Sequence, residues 1–321
     1  MPVTEADVIW AYRNFLGRAP ENDAVVELHC HAEDLRTLCE ILVNSDEFKE
    51  RVAPTKRDER ASVPVFMRPL PIDTEANPDE LRKLWQRVQR AWTHEGENQP
   101  FHSVLADDRF LPEQLNKFED LFWETGLWEA KGVVDHLADL GLMRLAEATL
   151  LEFGCGVGRM TMPFAQEFAR IIAYDISEPH LVIARERAAV LGLTNIYTVA
   201  IGRDVPTEFE PCDVFYSNIV LQHNPPPIIG HVLRKLIHSL KPGGFGIFQV
   251  PVYNVDYRFN LREVLKSGAP MDTTMHCYPQ AELFSLITQS GARLIEVRED
   301  DAPGPRGGPF VSNTVVLKRA K

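Results

Sequence analysis

Three alternating glycines follow an apolar run in the segment LLEFGCGVGRM, at residues 150–160. They are Gly154, Gly156 and Gly158, and a helical pattern begins directly after them near Met160. A glycine-rich turn between a buried strand and a helix lets the backbone approach a ligand closely, because no Cβ stands in the way. This feature predicts an α/β fold with a ligand site where the strand ends.

The glycine spacing differs from that of two common nucleotide-binding loops. A dinucleotide fingerprint, G-x-G-x-x-G, would place its third glycine at position 159, where the chain has Arg159. A P-loop would end in Gly-Lys-Ser/Thr, which is absent from this turn. The alternative is a plain strand-to-helix turn without a ligand, and three alternating glycines after an apolar strand argue against it.

An acidic residue follows at the distance that a ribose-binding site requires. Asp175 ends the apolar run RIIAYD, about 20 residues after the first glycine, where an acid accepts hydrogen bonds from ribose hydroxyls. The alternative role is a helix N-cap, because Asp175 and Ser177 directly precede a helical pattern. Given the glycine turn, ribose binding is the favoured interpretation.

From Thr149 onward, short apolar runs alternate with amphipathic helical patterns, which is typical of a parallel sheet covered on both faces. No whole helix fits between Glu299 and Phe310, so the last two strands are expected to form an antiparallel hairpin. The expected fold is α/β, a doubly wound, mostly parallel seven-stranded sheet with an antiparallel C-terminal strand. The strand-like runs are ATLLEF, RIIAYDI, NIYTVAI, CDVFYS, GFGIFQV, ARLIEVRE and FVSNTVVLK.

The part of the chain before this alternation carries helical patterns and a proline-rich stretch. Thr4 and Asp7 have capping-box spacing at the start of a small all-α domain without strand signals. Dense proline without periodicity then indicates a linker. Helical patterns at 79–92, 111–122 and 130–146 indicate a lead-in or cap. The predicted domain bounds are 1–51, 52–78, 79–148 and 149–321.

Composition narrows the classes of partner and location. The net charge is −12, so the chain repels phosphate backbones, and nucleic acid is not an expected partner. No apolar run reaches 18 residues and the first 15 residues lack a signal-peptide pattern, so we expect a cytoplasmic protein without membrane insertion. The five cysteines are scattered, which favours a reduced protein, and no metal is expected because the histidines and cysteines at positions 29–39 lack zinc-ligand spacing.

Several motifs together resemble class I S-adenosylmethionine-dependent methyltransferases. They are Glu152, the glycine turn, Asp175, CDVFYSNIVLQHNPPP and SLKPGG, and the resemblance covers about 149–318. QHNPPP followed by KPGG is similar to bacterial small-molecule members of the family. The N-terminal segments YRNFLGRAPE and LVNSDEF resemble a small helical domain found on bacterial surface-polysaccharide enzymes.

This resemblance implies a Rossmann-like methyltransferase domain that binds S-adenosyl-L-methionine and releases S-adenosyl-L-homocysteine. The implied reaction is methyl transfer to a hydroxyl or amine of a small molecule, such as a sugar or glycan intermediate of polysaccharide biosynthesis. A non-catalytic module that only holds the cofactor is the alternative. An aminopropyl transferase would need paired carboxylates near the fourth strand, and SNIVLQHNPPP has none. The acceptor and the oligomeric state are left open.

The resemblance also implies the residues that contact the cofactor. Glu152 would buttress the glycine turn or reach the amino group, Asp175 would accept the ribose hydroxyls, and Ile176 would pack on the adenine. Arg159 would either meet the cofactor carboxylate or be a solvated residue at the helix start. Members of the family often have an acid after the third strand that holds the adenine amine. The corresponding acid here, Asp204, is displaced, so the backbone of Gly202 and Arg203 can serve instead. The remaining implied cofactor positions are Gly154, Cys155 (as a small filler), Gly156, Gly158, Gly202, Arg203, Ser217 and Asn218.

A histidine follows the fourth strand, where an acceptor must meet the methyl group. A hydroxyl acceptor has to lose its proton, and imidazole is suited to that near neutral pH. His223 is therefore the predicted general base, beside Gln222. The alternative is a histidine that only packs near the following prolines. His276 and Tyr253 are the secondary catalytic candidates.

Overall fold

A computed structural model describes residues 3–16, 18–52, 71–142, 144–254, 257–267, 274–302 and 310–320. Two compact units divide the chain, Met1–Met67 and Arg68–Lys321. Gly17 lies outside the described residues, as do Pro54, Pro64 and Pro69 of the predicted linker.

The described part of the first unit is helical. Thr4 caps the first helix, because its hydroxyl accepts the Asp7 N–H at 3.2 Å while the Asp7 carboxylate accepts the Thr4 N–H at 2.9 Å. The predicted capping box is therefore confirmed. Val8, Leu38 and Leu42 pack in the core of this unit. The helices are α1 (Glu5–Ala11), a π-helical turn (Tyr12–Leu16), α2 (Asp23–Cys30), α3 (Leu35–Asn44) and α4 (Asp46–Val52).

The second unit contains the seven-stranded sheet that the sequence predicts. The strand order is β3-β2-β1-β4-β5-β7-β6. Strands β1 to β5 run parallel, and β7 runs antiparallel to both β5 and β6, which confirms the antiparallel C-terminal strand. The strands are β1 (Thr149–Phe153), β2 (Arg170–Asp175), β3 (Ile196–Ala200), β4 (Cys212–Ser217), β5 (Leu240–Asn254), β6 (Ala292–Asp300) and β7 (Phe310–Arg319).

Helices cover both faces of the sheet because alternate strand residues point to opposite sides. Leu151 and Phe215 belong to one buried cluster, and their neighbours Leu150 and Val214 belong to another. This alternation explains the doubly wound arrangement. The helices are α5 (Pro78–Asn98), α6 (Leu115–Asp139), α7 (Thr161–Glu167), α8 (Glu178–Val190), α9 (Pro226–Ser239), α10 (Leu261–Ser267) and α11 (Gln280–Gln289), with short 3₁₀ turns at Asp108–Phe110, Leu145–Glu147 and Leu221–His223.

One helix replaces two that the sequence predicts. The expected helical segments 111–122 and 130–146 are joined in α6, which continues through Gly126 and ends at Asp139. A Cβ at Gly126 would clash with the backbone carbonyl of Arg159. The glycine therefore serves close packing of α6 against the glycine turn, and it does not break the helix. Likewise α5 continues beyond the predicted end at 92, to Asn98.

The last residues of the predicted linker pack within the second unit. Ile72 forms a parallel bridge with Phe259, and the Asp73 carboxylate accepts the backbone N–H of Leu261 at 2.8 Å. Asn77 caps α5 in a capping box with Glu80. Residues 71–77 are thus anchored to the α10 region and to the start of α5.

The longest helices of the described chain are α5 and α6, with 21 and 25 residues. Charged residues recur along both of them. Within the described ranges, no helix has the combination of length and apolar character that crossing a membrane requires.

Candidate functional site

The glycine turn after β1 adopts a backbone that side chains disfavour. The φ angles of Gly154, Gly156 and Gly158 are 78°, 54° and 90°, all in the left-handed region. Space is limited as well, because a Cβ at Gly156 would lie 2.6 Å from a methyl carbon of Val104. Both the conformation and the close approach therefore require glycine at this position.

Asp175, at the end of β2, bonds to the glycine turn and to the start of α8. Its Oδ2 accepts the Gly156 N–H at 2.8 Å, and its Oδ1 accepts the Ser177 N–H at 2.8 Å. The side chain thus bonds to the N-cap residue of α8, Ser177, but is not itself the cap, and its role at the ribose stays a prediction. Each carboxylate oxygen has a further lone pair that a ribose hydroxyl can use.

A cavity, here called the loop cavity, lies against the glycine turn. Its lining combines apolar side chains with one carboxylate, a combination that suits a nucleoside. The residues present therefore fit the nucleoside part of S-adenosylmethionine, and both Asp175 and Ile176 line the cavity. The lining residues are Trp85, Val88, Trp92, Ser103, Val104, Phe153, Gly154, Gly156, Asp175, Ile176, His180, Ile201, Ile219, Val220 and Asn224.

His180, which the sequence analysis missed, lies in the wall of the loop cavity. Its Nε2 is 2.9 Å from the Ser103 hydroxyl, and its Nδ1 is 4.0 Å from Asp175 Oδ1. Burial lowers the pKa of His180, because the loss of hydration outweighs the attraction of Asp175. The ring links Ser103, in the segment after α5, to Asp175. Its position in the first turn of α8, five residues after Asp175, was the available signal.

Helix α5 supplies a second group of lining residues that sequence analysis did not assign to the site. Trp85 and Trp92 line the loop cavity, and the Trp85 indole N–H donates to the carbonyl of Gly202 at 3.0 Å. Gln89 donates to the carbonyl of Ile201 at 3.3 Å. These bonds hold the loop after β3 against α5, so that Ile201 faces the cavity.

The three predicted cofactor residues after Ile201 do not line the loop cavity. Gly202, Arg203 and Asp204 are exposed. Asp204 forms a surface ion pair with Arg82 at 3.0 Å, and Arg203 borders an outer groove along α5. The displacement of the acid by a few residues along the loop has moved its carboxylate to the protein surface.

Glu152, in β1, and Cys155, within the glycine turn, are both buried. The Glu152 carboxylate accepts the Thr161 hydroxyl at 2.6 Å, and burial raises the pKa of Glu152 to about 8. Burial also raises the pKa of the Cys155 thiol well above its ordinary value, which suits a space-filling residue and opposes a nucleophile. Glu152 joins β1 to the start of α7 through Thr161.

Arg159 is a buried residue that pairs with α6, so the interpretation as a solvated helix-start residue is wrong. Its Nη2 lies 2.7 Å from the Glu129 carboxylate, and only 5% of the residue is exposed. The same carboxylate accepts the Tyr216 hydroxyl at 2.7 Å and the Asn218 amide. Glu129 therefore gathers two predicted cofactor residues, Arg159 and Asn218, in one polar cluster.

The end of β4 carries a strained residue. The Ser217 hydroxyl is fully buried and donates to the carbonyl of Phe153 at 3.0 Å, which ties β4 to β1. Two residues later, Ile219 has a φ of 57°, a left-handed conformation that β-branched residues rarely adopt. Ile219 lines the loop cavity and a second cavity beside it. Such strain is found at functional sites.

The second cavity, here called the His223 cavity, adjoins the loop cavity. Its walls combine apolar side chains with two histidines, two amides and two carboxylates, so it can hold a partly polar small molecule. Both cavities are lined by Trp92, Ser103, Val104 and Ile219. The remaining lining residues are Glu95, Gln99, His102, Leu105, Ala106, Gln222, His223, Met275, Asp301 and Ala302.

The three predicted catalytic residues have different surroundings. The His223 ring lies 5.2 Å from the Trp92 ring and borders the second cavity. His276 is buried, its Nδ1 lies 2.7 Å from the Tyr257 hydroxyl, and its backbone N–H donates to the Gln222 carbonyl at 2.6 Å. Tyr253 pairs with Val311 across β5 and β7, and neither it nor His276 is among the described residues that line the two cavities.

Comparison with known proteins gives one family. A family model described as a methyltransferase domain matches residues 150–244. The ubiquinone biosynthesis O-methyltransferase of Ruegeria pomeroyi is 34% identical over 229 residues, which are 68% of this chain and 84% of that protein. The protein of the same name from Vibrio cholerae is 26% identical over 197 residues, 61% of this chain and 69% of that protein.

Two solved structures share the fold. Magnesium protoporphyrin IX methyltransferase from Synechocystis PCC 6803, crystallised with S-adenosylhomocysteine, has a TM-score of 0.52 at 17% identity over 73% of this chain and 100% of that one. The 1,6-didemethyltoxoflavin-N1-methyltransferase of Burkholderia thailandensis has a TM-score of 0.51 at 20% identity, over 78% of this chain and 94% of that one. With the sheet order, the glycine turn and the relative from Ruegeria pomeroyi, these findings establish that the chain belongs to the class I S-adenosylmethionine-dependent methyltransferases.

Proposed function

We propose that this methyltransferase acts on a hydroxyl group of a small molecule bound in the His223 cavity. The observation that carries the proposal is the shared wall of the two cavities. A cofactor in the loop cavity and an acceptor in the His223 cavity would meet beside Ile219 and Trp92, next to His223. An arrangement that places two reactants side by side contributes to the rate by proximity and orientation.

The cofactor supplies a methyl group that the positive charge on its sulfur already activates. The protein then has to orient the acceptor, exclude water and receive the hydroxyl proton. Trp92 and Val104 supply apolar surface at the junction of the cavities. His223 is proposed to take the hydroxyl proton, while the methyl group would pass from sulfur to the acceptor oxygen and S-adenosylhomocysteine would be left.

In the loop cavity, we propose that Asp175 binds the ribose hydroxyls and that the backbone of Gly154 and Gly156 faces the methionine portion. Ile176 and Ile201 would pack on the adenine. Glu152 and Arg159 would act on the cofactor through the turn and helix that they support, since neither lines the cavity. His180 and Ser103 join this proposed cofactor site.

The names of the relatives favour oxygen as the acceptor atom. They are named O-methyltransferases of ubiquinone biosynthesis, which makes hydroxylated ubiquinone precursors the first acceptors to test. The glycan acceptor expected from the N-terminal resemblance receives no support from these names. That resemblance, and a role in polysaccharide biosynthesis, remain predictions.

The test is methyl transfer from isotopically labelled S-adenosylmethionine to three panels of acceptors: hydroxylated ubiquinone precursors, sugars and small amines. We expect labelled ether products from a hydroxyl panel, and no product from the Asp175→Ala variant at low cofactor concentration. Products from the amine panel alone would contradict the proposal. Tight cofactor binding without product in any panel would favour the non-catalytic module.

A further inference from the structure

A chain of buried amides connects the strained residue Ile219 with His223. The backbone N–H of Ile219 donates to Gln249 Oε1 at 3.2 Å. Gln249 Nε2 lies 3.0 Å from Gln222 Oε1, and Gln222 Nε2 lies 3.1 Å from His223 Nε2. Gln249 and Gln222 are 1% and 2% exposed, so the bond between them is shielded from water. Gln249, Gln222 and these three bonds are called the amide chain below.

The direction of every bond in the amide chain follows from its first donor. A backbone N–H can only donate, so the Gln249 atom that faces Ile219 must be the amide oxygen. The Gln249 NH₂ group then points at Gln222, which must offer its oxygen. The other amide hydrogen of Gln249 goes to the Ser312 hydroxyl oxygen at 2.7 Å.

The orientation of Gln222 determines which ring nitrogen of His223 carries the proton. With its oxygen facing Gln249, Gln222 presents its NH₂ group to His223 Nε2. An NH₂ group can only donate, so Nε2 must carry a lone pair, and the ring proton lies on Nδ1. The arrangement is directional because reversing it would place the Gln249 NH₂ group against the Ile219 N–H, with both groups buried.

We propose that Gln249 is a positioning residue that sets the tautomer of His223 through Gln222. The inference rests on the proposed function, in which His223 Nε2 receives the hydroxyl proton. The amide chain keeps Nε2 unprotonated, which is the form that a general base needs. An acceptor hydroxyl entering the His223 cavity then competes with the Gln222 N–H for this lone pair. Gln249 does not line either cavity, so its effect passes through Gln222.

The strained backbone at Ile219 fixes one end of the amide chain. A β-branched residue in the left-handed region costs free energy and persists only where its surroundings impose it. Gln249 Oε1 binds the Ile219 N–H in that conformation. The same amide therefore shapes the wall between the two cavities and orients Gln222.

The experiment is nuclear magnetic resonance of the full-length protein labelled at histidine, with His223→Asn used to assign the His223 signals among the ten histidines. Ring nitrogen and carbon shifts distinguish the two tautomers. We expect the Nδ1–H form in the wild type. A wild-type Nε2–H form would overturn the proposal.

Two variants reverse the amide chain at different points. Gln249→Glu keeps an acceptor for Ile219 but has no hydrogen for Gln222, which must then turn its NH₂ group toward the new carboxylate and its oxygen toward His223. Gln222→Glu offers only oxygen to His223 and keeps its bond from Gln249. Both should convert His223 to the Nε2–H form and lower kcat by about tenfold or more, with the cofactor Kd unchanged within about twofold. A retained Nδ1–H signal in both variants would overturn the proposal.

Ser312→Ala is the matched control. It removes a hydrogen-bond acceptor from Gln249 without touching the path to His223, so it should keep the Nδ1–H form. A lower melting temperature in that variant would report a structural role without moving the tautomer. If Gln249→Glu switches the tautomer while kcat is unchanged, the proposed role of His223 as a base fails, and the assignment of the tautomer to Gln249 stands.

Discussion

The Oδ2 atom of Asp175 lies 2.8 Å from the backbone nitrogen of Gly156 and accepts its hydrogen bond. This bond joins the acid that ends β2 to the middle glycine of the turn after β1. The left-handed backbone of the turn is thus held by the same carboxylate that we assign to the ribose. The proposed cofactor site is therefore braced by protein contacts of its own.

Replacing Asp175 by alanine should weaken cofactor binding. A hydrogen bond to a charged group contributes roughly 1.5–3 kcal/mol, so the Kd for S-adenosylhomocysteine should rise by about 10- to 150-fold. Isothermal titration calorimetry measures this directly. Asp204→Ala is the control, because its carboxylate is exposed and pairs with Arg82, and its Kd should stay within about twofold. Equal losses in the two variants would contradict the assignment of the ribose to Asp175.

The close approach of Gly156 to Val104 can be tested by a double-mutant cycle. Gly156→Ala places a side chain at a φ of 54°, which costs roughly 1–2 kcal/mol, and directs its Cβ to 2.6 Å from Val104. Unfolding in urea should show that free-energy loss or more. Adding Val104→Ala should restore the part that is due to the contact and leave the part due to φ. Strict additivity of the two substitutions would show that the segment around Val104 does not lie against the turn.

Glu152 should make stability depend on pH. Its pKa rises from 4.5 to about 8 on folding, so the unfolded chain loses this proton first. The free energy of unfolding therefore falls as the pH increases from about 4.5 to 8, by at most roughly 5 kcal/mol at 1.36 kcal/mol per pKa unit. Glu152→Gln keeps an oxygen for Thr161 and cannot titrate. Its stability relative to the wild type should increase between pH 5 and pH 8 in chemical denaturation, and parallel pH curves would contradict this.

His223→Ala should lower kcat by roughly 100- to 10,000-fold, the scale of a lost general base. The cofactor Kd should barely change, because the ring is assigned to the acceptor. His231→Ala is the matched control, since that ring binds the Pro206 carbonyl and is not among the described residues lining the two cavities. Melting temperature and turnover should be measured on one preparation. A less stable His223→Ala protein with nearly full turnover would indicate a packing residue instead.

The two units of the chain should be separable. We expect a protein that starts at Arg68 to fold and bind cofactor. One that starts at Asp79 loses the Ile72 bridge to Phe259 and the Asn77 cap of α5, and an N-cap alone contributes about 1 kcal/mol. Its free energy of unfolding should be lower by about that amount or more. Failure of the longer fragment to bind S-adenosylhomocysteine would contradict the separation.

The sheet and the glycine turn were predictable because their signals are local. Short apolar runs marked the strands, and the left-handed turn needed glycine where the sequence has it. Helix α6 was predicted as two segments, whereas the helix continues through Gly126, although glycine is locally unfavourable inside a helix. Glycine is needed at position 126 because the helix approaches the Arg159 carbonyl there, and this contact joins residues far apart in the chain.

The site residues also fall into two groups, those that sequence spacing predicts and those that only tertiary packing brings to the cavity. Asp175 follows the glycine turn at a fixed distance, so the chain's own spacing places it at the loop cavity. Trp85 and Val104 reach that cavity through the packing of α5 and the following segment, and no spacing rule connects them to the turn. Asp204 is the opposite case. Its position in the sequence predicted a cofactor contact, but in the structure it forms a surface ion pair with Arg82.

The sequence by itself therefore determined the fold, the cofactor class and the histidine beside the fourth strand. Local backbone preferences are sufficient for the fold, and the cofactor class followed from the resemblance of the motifs to a methyltransferase family. Only the tertiary structure decided that Gln249, on a neighbouring strand, meets both the Ile219 N–H and Gln222. The physical reason is that hydrogen-bond direction depends on which buried donors and acceptors come within about 3 Å of one another, and folding alone sets those distances.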